Sequence, residues 1–129
     1  MDRICLDSDF IIDALRGKKE AADFLLDNEE KVIFAITIVS LFELYRGAFG
    51  SSEKGDVFAV DNLKNRFEIL NLSEESVKLA GKVMAELRKK GEVIDFRDLF
   101  IGTLAVVNGF AVKTNNVKHF AKIPGINLV

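Results

Sequence analysis

Apolar residues along this chain keep two rhythms. Short β-branched and aromatic runs read as strands, and longer stretches with apolar residues three or four apart read as helices. The first run is Arg3-Ile4-Cys5-Leu6, closed by Asp7. It predicts a strand over 3–7, followed at once by a helix that starts on Asp7 or Ser8 and stops near Arg16-Gly17. Ala21, Ala22, Leu25 and Leu26 set a second helix over 18–28, and the next run predicts a strand over 31–37. Helices are expected over 39–49 and 53–66, separated by Gly50-Ser51-Ser52, then a strand over 67–72. Ser73-Glu74-Glu75 opens an amphipathic helix that ends at Lys90-Gly91. Another helix runs from Asp95 to Asn108-Gly109, and 110–114 reads as a strand. A short helix over 117–121, a turn at Pro124-Gly125 and a last strand at 126–128 complete the chain. Strands that alternate with helices predict a parallel sheet covered on both faces. The fold class is therefore α/β, in three layers, with four to five strands.

Composition narrows the function. The 129 residues suit a single domain over 1–129, and 49% hydrophobic residues suffice for a core. No apolar run approaches the roughly 20 residues that span a bilayer. The chain opens on Asp2 and a strand rather than a basic segment before a signal core, so a cytoplasmic protein is expected. The lone Cys5, inside a strand, reads as core. A net charge of −2 argues against a broadly basic nucleic-acid surface. It leaves room for acids that bind phosphate through a divalent cation. The single His119 and the absence of Trp disfavour His-rich metal sites, and the 11 Phe residues read as core or subunit interface. Neither GxGxxG nor GxxxxGK[ST] occurs, which removes most support for nucleotide-cofactor enzymes.

The candidate chemistry is acidic. Asp7 ends the first strand, Glu43 lies early in the helix after the second, and Asp95 and Asp98 open the helix before the fourth. Asn115 and Asn116 end that fourth strand. If the first strand lies between the second and fourth, these groups share the crevice at the carboxyl edge, where open α/β sheets bind ligands. Clustered carboxylates repel one another, and Mg²⁺ or Mn²⁺ relieves the repulsion. Such ions suit phosphodiester hydrolysis. Each acid also has a plain structural use. Ser40 with Glu43 fits a capping box, Asp95 with Asp98 fits another helix start, and Asp7 fits an N-cap. Asp9, Asp13 and Asp23 read as solvated, with Asp9 close to Asp7. Arg16 and Arg46 are candidates for phosphate contact, whereas Arg88-Lys89-Lys90 reads as a solvated helix end. His119 is expected to pack or hydrogen-bond without a catalytic role.

Four stretches in order resemble the PIN-domain family, most closely the VapC toxins of toxin–antitoxin pairs. They are Leu6-Asp7-Ser8-Asp9-Phe10-Ile11-Ile12-Asp13, Ser40-Leu41-Phe42-Glu43-Leu44, Asp98-Leu99-Phe100-Ile101-Gly102 and Thr114-Asn115-Asn116-Val117-Lys118-His119-Phe120. The resemblance implies an α/β/α domain and an endoribonuclease using Mg²⁺ or Mn²⁺. It implies Asp7, Glu43 and Asp98 as metal-binding acids, with Ser8 as the small hydroxyl residue after the first. Asn116 matches a position where many relatives carry a fourth acid, so a second metal would be held less tightly. The family also implies a homodimer, an RNA substrate and a VapB antitoxin that blocks the site.

Two rivals stand beside it. Asp7-Ser8-Asp9 after an apolar strand also fits a haloacid-dehalogenase-like phosphatase with Asp7 as nucleophile, and Gly91-Glu92-Val93-Ile94-Asp95 hints at its acidic motif. That reading leaves Glu43 unexplained. A non-catalytic interaction module would use the three acids only as caps.

Overall fold

A computed structural model describes residues 2–52 and 55–129. The chain runs β1 (Asp2–Leu6), α1 (Ser8–Leu15), α2 (Lys19–Asn28), β2 (Val32–Thr37), α3 (Ile38–Gly50) and α4 (Asp56–Lys64). It continues through β3 (Glu68–Leu70), α5 (Glu74–Lys89), α6 (Phe96–Asn108), β4 (Ala111–Lys113) and α7 (Val117–Phe120). The strands form one parallel sheet in the order β3-β2-β1-β4. β1 therefore lies between β2 and β4, the order that brings the acid-bearing ends together.

Alternation along the strands builds two cores. Ile4 and Leu6 of β1, with Phe34 and Ile36 of β2, face α1 to α4. Cys5 and Ala35, one residue out of phase, face α5 and α6. The result is three layers with β1 buried at the centre. Cys5 is fully buried, and that burial pushes its thiol up to about 12, so it is an inert core residue.

The helices begin where side chains satisfy their first amides. Ser73 and Ser76 form a reciprocal capping box on α5. Ser76, Ala80, Val83 and Leu87 then form its buried stripe. Asp95 caps α6 by accepting from the Arg97 amide, and Gly109 ends that helix at φ 75°. A Cβ on Gly102 of α6 would stand 2.2 Å from Ile123 Cδ1, so a larger residue there would force the Ile123 side chain to move.

Some expected boundaries move. The strand expected over 67–72 keeps only Glu68–Leu70, because Ala35 to Thr37 of β2 offer three partners. The strand expected at 126–128 is a single bridge between Leu128 and Val112. β4 is only three residues long, and the last segment meets it at Val112, whose amide donates to the Asn127 carbonyl and whose carbonyl accepts from the Val129 amide. The helix expected over 53–66 begins at Asp56, and positions 53 and 54 lie outside the described residues.

Candidate active site

Asp7 follows β1 directly and is the N-cap of α1, at φ −70° and ψ 150°. Its amide donates to the Lys113 carbonyl of β4 at 2.9 Å, fixing the junction to the sheet. The residue is 2% exposed. Its carboxylate Oδ1 accepts from the Ser8 amide at 2.8 Å, and Oδ2 accepts from the Thr114 hydroxyl at 2.8 Å. The Thr114 oxygen in turn accepts from the Asn116 amide at 2.9 Å. Burial raises the Asp7 pKa from 3.8 to about 6. The Thr114 and Ser8 bonds oppose that rise, whereas the charges of Asp9 and Asp98 add to it. The acid at the end of β1 is thus held in one orientation and feels the acid that opens α6.

Glu43 reaches the same place from α3. The Ser8 hydroxyl lies 3.0 Å from Glu43 Oε1 and 3.4 Å from Asp7 Oδ1, linking the two carboxylates. The expected capping box does not form. Thr37 takes the N-cap role and accepts from the Ser40 amide at 3.0 Å, which leaves Glu43 to face Ser8 and Arg97. Arg97 Nη1 donates to Glu43 Oε2 at 2.9 Å. The same guanidinium grips Asp95 through Nε at 3.1 Å and Nη2 at 3.4 Å.

Asp98 stands in the first turn of α6 and does not fold back onto the cap. Its Oδ2 lies 3.1 Å from His119 Nδ1 on α7. Burial is the first cause that raises its pKa; the bond to His119 opposes the rise and the Asp95 charge adds to it. Asn116 donates from Nδ2 to Asp9 Oδ2 at 3.1 Å, so the amide at the expected fourth-acid position meets a carboxylate near Asp7.

Asp7, Glu43, Asp98 and Asn116 therefore gather at the carboxyl edge of β1. Asp95 is a helix cap and a partner of Arg97. Arg16 closes α1 at the end away from Asp7, and Arg46 is exposed on α3. The cation on the acids is Arg97, which local sequence does not reveal because its partner Glu43 is 54 positions away. Thr114, which holds Asp7, is likewise distant in sequence. His119 hydrogen-bonds at the short helix as expected, and its partner is one of the candidate acids.

Three carboxylates backed by serine and threonine hydroxyls make an oxygen-only donor set, the chemistry that suits hard divalent cations. Burial is the main cause that raises the pKa values of Asp7 and Asp98, and neighbouring carboxylates add to it; a bound cation offsets both. The residues thus fit a divalent ion by donor type. Among the described residues, no three acidic, His or Cys side chains are already arranged to hold one. Arg97 and His119 engage two of the three acids instead.

A PIN-domain family model matches residues 4–126. The chain belongs to the PIN-domain family, a nuclease family that generally uses divalent metal. Ribonuclease VapC1 of Haemophilus influenzae is 32% identical over 123 residues, covering 92% of this chain and 90% of that protein. A tRNA(fMet)-specific endonuclease VapC of Salmonella typhimurium is 28% identical over 130 residues, covering 99% of this chain and 97% of its own. Among solved structures, VapBC2 from Rickettsia felis, bound to a promoter DNA fragment, superposes with a TM-score of 0.89 at 26% identity. That match covers 98% of this chain and 97% of the other. These matches replace the phosphatase reading. No helix among the described residues is long and apolar enough to cross a membrane.

Proposed function

We propose that this chain is a metal-dependent endoribonuclease, the toxin of a VapBC-type pair, with Asp7, Glu43 and Asp98 as its metal-binding acids. The observation that carries the reading is the buried Asp7 at the end of β1. It is linked to Glu43 through Ser8 and is electrostatically coupled to Asp98. When bound, Mg²⁺ or Mn²⁺ supplies Lewis-acid activation of water and neutralises charge on the scissile phosphate. The chain's own part is orientation. The Ser8 amide and Thr114 hydroxyl fix both Asp7 oxygens, and Asn116 tethers Asp9 beside them. The carboxylates take up the proton of the attacking water. In-line attack at phosphorus leaves a 5′-phosphate and a 3′-hydroxyl.

The names of the relatives favour catalysis over a non-catalytic module. With a net charge of −2, RNA choice rests on shape and single-stranded loops. The Salmonella relative's printed specificity makes tRNA the first substrate to try. The VapBC complexes among the structural neighbours support a VapB-type antitoxin as partner; a homodimer of this chain belongs to the same proposal.

The test is cleavage of a tRNA-containing structured RNA pool with Mg²⁺, Mn²⁺ or EDTA, beside Asp98→Asn purified identically. Expected is cleavage that requires metal and falls by at least roughly a hundredfold in the variant. Equal cutting by both proteins overturns the site assignment.

A further inference from the structure

Among the described residues, Arg97 is the one cation on a candidate metal ligand that also carries its own tether. Its Nη1 takes Glu43 Oε2 at 2.9 Å, while Nε and Nη2 grip both oxygens of Asp95. The Arg97 amide donates to the same Asp95 at 2.8 Å. A guanidinium can do this because its donors are fixed in a planar fork; an ammonium cannot span both partners in one geometry. The two ends of the pair differ in exposure. The Glu43 side chain is 11% exposed, so its charge needs a partner, whereas the Arg97 side chain is 55% exposed and has room to leave.

We propose that Arg97 is a resident cation of the site: it holds Glu43 in the place of the divalent ion and must release it on loading. The inference rests on Glu43 being a metal ligand, as argued above. It explains why, among the described residues, no three acids are arranged to hold an ion, although three converge on one edge. Release does not cast Arg97 adrift. Asp95 keeps the guanidinium beside the site, one residue from Asp98 on the first turn of α6. The same turn therefore carries one metal ligand and the group that competes for another. Arg97 is a positioning residue here, acting through Glu43.

The experiment is Mn²⁺ binding to the purified chain, read by the free-Mn²⁺ electron paramagnetic resonance signal, for wild type, Arg97→Ala, Arg97→Gln, Arg97→Lys and Asp98→Asn. Arg97→Ala and Arg97→Gln should tighten binding roughly two- to fivefold, the effect of one partly exposed ion pair. Arg97→Lys, which keeps the charge without the fork, should fall between them and wild type. Unchanged or weaker binding in both Ala and Gln variants, with loss in Asp98→Asn, overturns the competition and spares the metal site. Wild-type affinity in Asp98→Asn, or no binding by wild type, overturns the site reading itself. If the Arg97 variants do not fold, the wild type answers alone. The Arg97 Nε–H nuclear magnetic resonance signal should shift on adding diamagnetic Mg²⁺, and an unmoved signal overturns the proposal.

Discussion

Two acids of α1 and its cap, six residues apart, have opposite surroundings. Asp7 is buried at the start of the helix, with Asp9 and Asp98 close enough to raise its pKa to about 6. Asp13, toward the other end, lies 3.2 Å from Lys18 and accepts from Asn115 at 2.9 Å, and Lys18 lowers its pKa. The same side chain on one short helix is thus strained by burial in one place and satisfied by a lysine in the other. Carboxylates perturbed in this way concentrate at functional sites, which supports the role proposed for Asp7. Asp13 needs no such account, since its neighbours already answer its charge.

The largest expected effect comes from removing the Asp7 charge. Asp7→Asn should lower RNA cleavage by at least roughly a hundredfold, since it removes a proposed metal ligand. The metal-free protein should respond in the opposite sense. A folded pKa above the unfolded one gives a contribution to stability that is full below pH 3.8 and is lost as pH rises through about 6. The rise corresponds to an upper limit of about 3 kcal/mol at pH 8, reduced by the hydrogen bond that the Asn amide cannot accept. Melting temperatures of wild type and Asp7→Asn, in chelator, should therefore diverge in favour of the variant between pH 5 and pH 8. A gap that stays constant with pH would separate Asp7 from the strain ascribed to it.

Much of this contrast is legible in sequence, but only on the backbone side. The run Ile4-Cys5-Leu6 and the helical spacing after it announce a strand-to-helix junction, so Asp7 can be placed at a sheet edge without coordinates. The parallel sheet follows from alternating elements, whereas the strand order comes from the structure. The answer to each charge does not follow. Lys18 is local to Asp13, but the partners that distinguish Asp7, Glu43 and Asp98 are Thr114, Arg97 and His119, each contributed by a distant element. Glu43 shows the cost most plainly. Ser40 and Glu43 have the spacing of a capping box, yet Thr37 begins the helix three residues earlier and takes the cap. Short pairings fade for a related reason: β3 and the Leu128 bridge depend on how much partner strand is on offer, not on their own apolar residues.

The next effect sharpens the comparison from the Asp7 side. Thr114→Val keeps the side-chain shape but removes the hydroxyl that donates to Asp7 Oδ2 and accepts from the Asn116 amide. Two buried or partly buried polar groups lose their partner, at a cost of roughly 1–3 kcal/mol. Because the Thr114 bond opposes the rise in Asp7 pKa, its loss should push that pKa higher still. The deficit relative to wild type should then grow as Asp7 ionises, from pH 5 to pH 8. Chemical denaturation at the two pH values in chelator measures it. A deficit independent of pH would mean that Thr114 serves the β4–α7 turn and not the carboxylate.

The smallest effect is expected at Asp13, and its smallness is the informative result. Asp13→Asn removes an exposed carboxylate whose pKa is lowered by Lys18, so whatever stability it lends is present at neutral pH and lost as pH falls below the usual carboxylate range. Exposed ion pairs of this kind contribute little, and the melting temperature should shift by less than about 2 °C at pH 7. Asn115 loses one acceptor at an exposed position where water replaces it. Metal affinity and RNA cleavage should match wild type, since Asp13 lies in the last turns of α1 and Asp7 precedes its first. A large loss of cleavage in Asp13→Asn would tie the two ends of α1 into one functional surface, through Asn115 and its neighbour Asn116. The contrast between the strained acid and the satisfied one would then fail.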